Sequence, residues 1–409
     1  MNRIHPIRIL YFLTFGMMGA WLPFLPLYLK QTQWTPVQIG GLLSLSSVSI
    51  LVTPVLVTML ADMHVQPKRL ILIINFLAGS TFLILWQVDT FWPIMWLFLF
   101  YSLVAAPVMA LQDGLYFSFS KMHPKNAPPF HRVRVFGTMG FIFPSLIMFV
   151  LLEYQCSLKV MMLLAASLCF ANMINALFLP KVQRETIKRK RLPTRDALNV
   201  ILQKHVLLFC AALWLMNMVS AAFYGFHPVF LRETVGLADQ WIGLMVNLGV
   251  AIEIIFMLSF GWLLGRLGLK KLMVIGIIST AIRMIILAFC SSLPMVLLSQ
   301  GLHGMMVMVV HVVPPVFLNA NAKQSFRSSI QGLFAMVVMG TGRIFGNLIA
   351  GYLAAISLTV LYSYAAVLCL IAAVIVLIGL KHWNMHEIRD AKPDDELRVE
   401  TNALLGPPE

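Results

Sequence analysis

Glu253, Arg283 and His303 lie in stretches of chain that otherwise exclude charge, and each carries chemistry that packing alone does not need. Desolvation and a nearby cation act in opposite senses on a carboxylate set among Ile252, Ile254, Ile255 and Phe256. Such a group is suited to loading and releasing a proton. Arg283 stays charged and offers a planar fork of donors, either to a solute or to Glu253 in a bracing ion pair. His303 and His311 are eight residues apart, about two helical turns, so both could line one face. Either ring can relay a proton or simply satisfy an interhelical donor. Asp113 and Arg134, 21 residues apart, are the corresponding candidates earlier in the chain, for substrate or proton binding. Arg134 has a second reading, as a basic anchor at a helix start. Arg343, within Gly340-Thr-Gly342-Arg343-Ile-Phe-Gly346, either meets an anionic solute or strengthens helix packing.

These residues stand out because of the elements that hold them. The chain is 60% hydrophobic and 11% charged over 409 residues, against ~45–50% apolar and ~25% charged for soluble domains. Apolar stretches near 7–29, 38–60, 70–88, 91–117, 134–152, 158–179, 206–230, 240–263, 271–290, 293–318, 328–353 and 358–380 are each long enough to cross a bilayer as a helix. A charge at the centre of such a helix costs ~2.5–3.5 kcal/mol on insertion scales, so an ionisable residue there is a functional-site hypothesis. The spacing predicts an all-α integral membrane protein of twelve spans.

The net charge of +14 is a topology signal. With the N-terminus inside, 25 basic residues fall on one side and three, Lys30, Lys159 and Arg232, on the other. That asymmetry places both termini in the cytoplasm and argues against a nucleic-acid partner. Five cysteines scattered singly predict neither disulfides nor a metal site. No cofactor is expected.

A shift of 202 residues lays Pro26-Leu-Tyr-Leu-Lys-Gln-Thr32 over Pro228-Val-Phe-Leu-Arg-Glu-Thr234, Gln38 over Gln240, and Lys68-Arg69-Leu70 over Lys270-Lys271-Leu272. The chain therefore divides into a six-helix bundle at 1–179, a basic cytoplasmic linker at 180–205 containing Lys188-Arg-Lys-Arg191, a second bundle at 206–380, and a polar tail at 381–409. Parallel repeats of this kind predict a solute cavity between the halves near the midplane, worked by alternating access.

The chain resembles the major facilitator superfamily over residues 1–380. Leu60-Ala61-Asp62 with Lys68-Arg69, and Gly261-Trp-Leu-Leu-Gly265-Arg266 with Lys270-Lys271, are similar to the family's loops after helices 2 and 8. The resemblance implies that Asp62, Lys68, Arg69, Gly261, Gly265 and Arg266 form conformational-gate loops. Arg132-Val-Arg134-Val-Phe-Gly137, the helix-8 acid Glu253, and the 20-residue spacing of Arg283 and His303 look most like the branch of lactose, nucleoside and phenylpropionate permeases. There an arginine and a histidine couple solute to proton with a glutamate one turn beyond the histidine, a position that is Met306 here. Glu253 is then the expected proton carrier.

The expected activity is proton-coupled symport of a small organic solute: a sugar, nucleoside or aromatic acid. The alternative is proton-driven export of amphipathic compounds. No phosphate-binding loop is present, and nothing resembles an activated nucleophile, so neither ATP-driven transport nor an enzyme is expected. The partners are a solute, a proton and the lipid bilayer, with a monomer as the working unit and the bacterial inner membrane as its location.

Overall fold

The computed structural model describes residues 4–62, 66–122, 128, 130–180, 194–322 and 327–379. The run Lys188 to Arg191, the tail 381–409 and the side chain of Asp62 lie outside them. Every regular element among the described residues is helical.

The spans are α1 His5–Gln31, α2 Pro36–Asp62, α3 Pro67–Gln87, α4 Phe91–Ala105 continued by Val108–Met122, α5 Phe130–Glu153, α6 Val160–Phe178 and α7 Lys204–Glu233. One helix, Asp239–Phe289, runs 51 residues, far beyond the ~20 that cross a bilayer. Gly268 breaks it with φ 70° and ψ 162°, so its two limbs are α8 and α9. A side chain at that φ would be strained. α10 consists of Leu293–Gln300, His303–Val307, a π-helical segment Met308–Val312 and Val313–Asn321. α11 joins Arg327–Phe334 through a second π segment, Ala335–Gly340, to Thr341–Ile356, and α12 is Leu358–Gly379. Twelve crossings result.

Prolines explain several breaks. Pro23 lies between His5–Trp21 and Leu25–Gln31, the two pieces of α1, and Pro107 between those of α4, where the ring removes a donor and clashes with the preceding turn. Pro144 and Pro228 stay inside continuous helices. Gly261, Gly265 and Arg266, expected in a gate loop, are instead helical, because α8 continues to Gly268 before it stops. A short helix, Thr194–Ile201, occupies part of the linker and packs against the start of α11.

The exterior is apolar. Leu258 is 79% exposed, Phe289 71% and Ile378 81%, a surface that only lipid can cover. Lipid supplies no hydrophobic drive between helices, so close approach at small residues does the packing. A Cβ on Gly140 of α5 would lie 2.0 Å from the Phe12 carbonyl oxygen of α1. In the 202-residue register the same pair is Gly342 of α11 and Trp214 of α7, where the clash with the Trp214 carbonyl would be at 3.0 Å. The repeat continues into the last helices. Ala165-Ala166-Ser-Leu168-Cys169 of α6 and Ala365-Ala366-Val-Leu368-Cys369 of α12 bury the same four positions among alanine, leucine and cysteine.

The chain forms two compact units: Met1–Arg189 with Tyr224–Asn247 and Asn347–Ala355, and Lys190–Phe223 with Leu248–Gly346 and Ile356–Glu409. Within the first, the three basic residues of the sparse side each meet a carboxylate: Lys30 with Glu233 at 3.7 Å, Arg232 with Asp239 at 3.0 Å, and Lys159 with Asp89 at 2.5 Å. Gln31 donates to Asp239 and Gln240 to Glu153 in the same region.

Candidate functional site

Arg283 of α9 is the largest fully buried side chain among the described residues, with no exposed surface. A guanidinium in that position needs fixed acceptors, and α10 supplies two. Arg283 donates from Nη2 to Gln300 Oε1 at 2.8 Å and from Nη1 to His303 Nδ1 in a short contact. The guanidinium also lies 4.2 Å above the ring of Phe223 from α7, and that ring meets His303 at 5.6 Å between centroids. Gln300 and His303 are both buried.

One protonation state follows from the geometry. Arginine can only donate, so Nδ1 of His303 must present its lone pair and the ring carries its proton on Nε2. A second proton on this imidazole would occupy the nitrogen that Arg283 uses. Proton uptake at His303 and the Arg283 bond therefore exclude each other.

Glu253 lies on the face of α8 that meets this cluster. A Cβ on Gly249, one turn before it, would fall 2.9 Å from both Gln300 Oε1 and His303 Cδ2. Phe256, nearly one turn after it, fills the space beside Gly304 of α10. Positions 249, 253 and 256 share one helical face. Glycine at 249 is what lets the α8 backbone approach. Met306, where the resemblance expected a glutamate, is buried on α10.

His311 has a different environment from His303. The π segment Met308–Val312 interrupts the regular turn between them, and residues 303–310 are buried without a break. His311 itself is exposed.

In the first unit, Tyr11 of α1 donates a short hydrogen bond to Asp113 of α4. The charge of Arg134 on α5 also acts on that carboxylate, and its guanidinium lies 4.0 Å above the ring of Phe15. Asp113 and Arg134 are thus brought to one place, bridged by Tyr11 and Phe15. Of the gate residues, Lys68 and Arg69 start α3, and Arg266 is exposed above Trp262 at 4.5 Å.

Sequence reasoning missed Gln300 and Phe223 as partners of Arg283, and Tyr11 as the partner of Asp113. Gln300 had a usable signal, being a polar amide one turn before His303. Phe223 and Tyr11 had none, since aromatic residues are common throughout these helices.

Twelve spans in two repeats, with ionisable side chains sealed inside them, define a transporter of the major facilitator type. The chain belongs to the MFS_1 like family, which matches residues 5–378. It is a multi-pass membrane transporter and not an enzyme. It is similar to the putative nucleoside transporter YegT of Escherichia coli (strain K12), 26% identical over 348 residues, covering 81% of this chain and 80% of that one. The probable 3-phenylpropionic acid transporter of the same organism is 26% identical over 352 residues, covering 84% and 89%. The crystal structure of nucleoside transporter NupG shares the fold, with a TM-score of 0.83 at 21% identity over 94% of this chain and 100% of that one.

Proposed function

We propose that the protein is a proton-coupled symporter of a nucleoside-like or phenylpropionate-like solute, working by alternating access as a monomer. Its termini are cytoplasmic and its membrane is the bacterial inner membrane. The names of the relatives support the solute class. The carrying observation is the sealed Arg283–His303–Gln300 cluster with the Glu253 face of α8 pressed against it at Gly249.

A buried arginine whose bond to His303 fails on proton uptake is a two-state element, and a proton taken up nearby biases it. Glu253 and His303 are the groups able to take that proton; Arg283 is not, since it stays charged. Asp113 and Arg134 form the corresponding charged pair of the first half, where a polar solute can be held by paired donors and an acceptor.

Reconstitution into liposomes tests the reading. An inward-directed proton gradient is expected to drive accumulation of uridine or 3-phenylpropionate above its external concentration. An outward-directed gradient accelerating uptake instead would make the protein an exporter. Equal uptake with and without a gradient would remove proton coupling.

A further inference from the structure

A buried tyrosine hydroxyl needs a partner, and the first half supplies partners of two kinds. Tyr101 of α4 donates to Met17 Sδ at 2.9 Å, and Tyr116, further along α4, to the Pro128 carbonyl at 2.6 Å. Both acceptors are neutral. Tyr11 of α1, with no exposed surface, instead gives its hydroxyl to the carboxylate of Asp113.

The phenol is held fast. It lies in the core with Ile7, Leu10, Leu115 and Tyr116, edge-on to Phe130 of α5 at 6.2 Å between centroids. Because the hydroxyl donates, Oδ1 of Asp113 presents a lone pair to it and is fixed in place. Asp113 is half-buried, and Oδ2 remains for another donor. Arg134 reaches α1 one turn further on, where its guanidinium lies 4.0 Å above the ring of Phe15. Positions 11 and 15 are neighbours on one helix face, about 5–6 Å apart. α1 thus spaces a fixed acceptor and a forked donor by a single turn.

Joining the helices does not require this arrangement. In the 202-residue register Tyr11, Asp113 and Arg134 are Leu213, Pro315 and Met336. The second half therefore uses apolar side chains at all three positions, and Leu213 is fully buried.

We propose that Tyr11 is a positioning residue for solute binding: its hydroxyl holds the Asp113 carboxylate as an acceptor for the O–H or N–H groups of a nucleoside-like solute. This rests on the transport reading and narrows its solute class toward nucleosides. 3-Phenylpropionate, ionised, has no such donor and would set its own carboxylate against that of Asp113. Asp113 then serves the solute, and carriage of the proton is left to Glu253 and His303.

The test uses the full-length protein in liposomes, with uridine as the probe and counterflow exchange read over a range of concentrations. Tyr11→Phe keeps the ring and removes only the hydroxyl. It is expected to raise the KM for uridine about tenfold. Vmax, and the accumulation ratio at saturating uridine under a proton gradient, should stay near those of the parent. Asp113→Asn should raise KM at least as much, and the double variant no further, because Tyr11 acts through Asp113. Tyr116→Phe is the control: it loses a hydroxyl bond to a neutral acceptor, and KM should not move. A bond at Tyr11 that only braces the helices would behave like the control, with a lower melting temperature at unchanged KM, and would overturn the inference. So would additive effects in the double variant, a lowered accumulation ratio at unchanged KM, or exchange of 3-phenylpropionate without exchange of uridine. That last result leaves the transport reading standing, whereas no exchange of either solute removes both.

Discussion

The 202-residue register equates two buried clusters that have opposite chemistry. In the first half Trp21, Phe98 and Tyr101 pack together, with Thr81 as the remaining equivalent position; in the second the same four positions are Phe223, Gln300, His303 and Arg283. The ring spacing is conserved between the two sites while the tilt is not: Trp21 and Tyr101 have centroids 5.7 Å apart at 89°, Phe223 and His303 5.6 Å at 41°. The first cluster satisfies itself. Trp21 Nε1 donates to the Tyr101 hydroxyl at 3.2 Å, and Thr81 bonds back to the Leu77 carbonyl of its own helix. The second holds a full charge in the same kind of place. Aromatic packing is therefore a workable solution to joining these helices, and the chain uses it once. Retaining a desolvated guanidinium in the other copy costs several kcal/mol that packing did not require. That difference is the strongest argument for function in the second cluster.

A second contrast runs the other way. Thr14, Asn75 and Asn172 form a buried hydrogen-bonded triad in the first half, with Asn172 donating at 3.1 and 3.2 Å. The register makes the first two Met216 and Ile277, and the α6–α12 alignment makes the third Ala372. At these positions the first half uses neutral polar bonding between helices where the second has apolar side chains.

The comparison breaks most sharply at Arg283. Arg283→Met removes two bonds to a charged donor, each worth about 1.5–3 kcal/mol. Transport is expected to fall about 100-fold or more in liposomes. Relief of the ion's desolvation opposes the cost of leaving Gln300 and His303 buried without their donor, so the melting temperature should change far less than transport does. The counterpart experiment is Trp21→Ala, which should cost about 3–5 kcal/mol of stability. Transport per folded molecule should change little. Reversed outcomes, a stability loss at 283 and a specific transport loss at 21, would erase the distinction.

Gly249→Ala sharpens it. The added methyl enters at 2.9 Å from Gln300 and His303, an overpacking that costs about 1–3 kcal/mol. Transport is expected to drop about tenfold, with the larger part lost in proton-driven accumulation. An unaffected Gly249→Ala variant would show that the α8–α10 approach does not matter. The smallest effect is expected at Lys159→Ala, which belongs to neither cluster. Breaking the Lys159–Asp89 pair should change stability by less than about 1 kcal/mol and leave transport as it was.

Much of this was legible in residues. Charge exclusion marked the twelve spans, and the register was visible in Pro26 over Pro228 and in the basic pairs after α2 and α8. The spacing of Arg283 and His303 marked both as candidates, but the partner expected for Arg283 was Glu253 or a solute, and its bond to His303 was not foreseen. The π segments were not legible, because Ala335-Met-Val-Val-Met-Gly340 has the same composition as an ordinary membrane helix. That His303 is buried while His311 is exposed was equally hidden. Gly249 escaped notice because a glycine in a membrane helix carries no mark of what it lets approach. The break at Gly268 was readable only as a gap between apolar runs, not as one residue with positive φ. Tertiary approach decides each of these cases.

The most direct measurement compares Glu253→Gln with the parent in liposomes under an imposed proton gradient, reading uphill accumulation and counterflow exchange of the same solute. Loss of accumulation with exchange intact is the predicted result. Full accumulation by the variant would place proton coupling elsewhere and contradict the role assigned to the charged cluster of the second half.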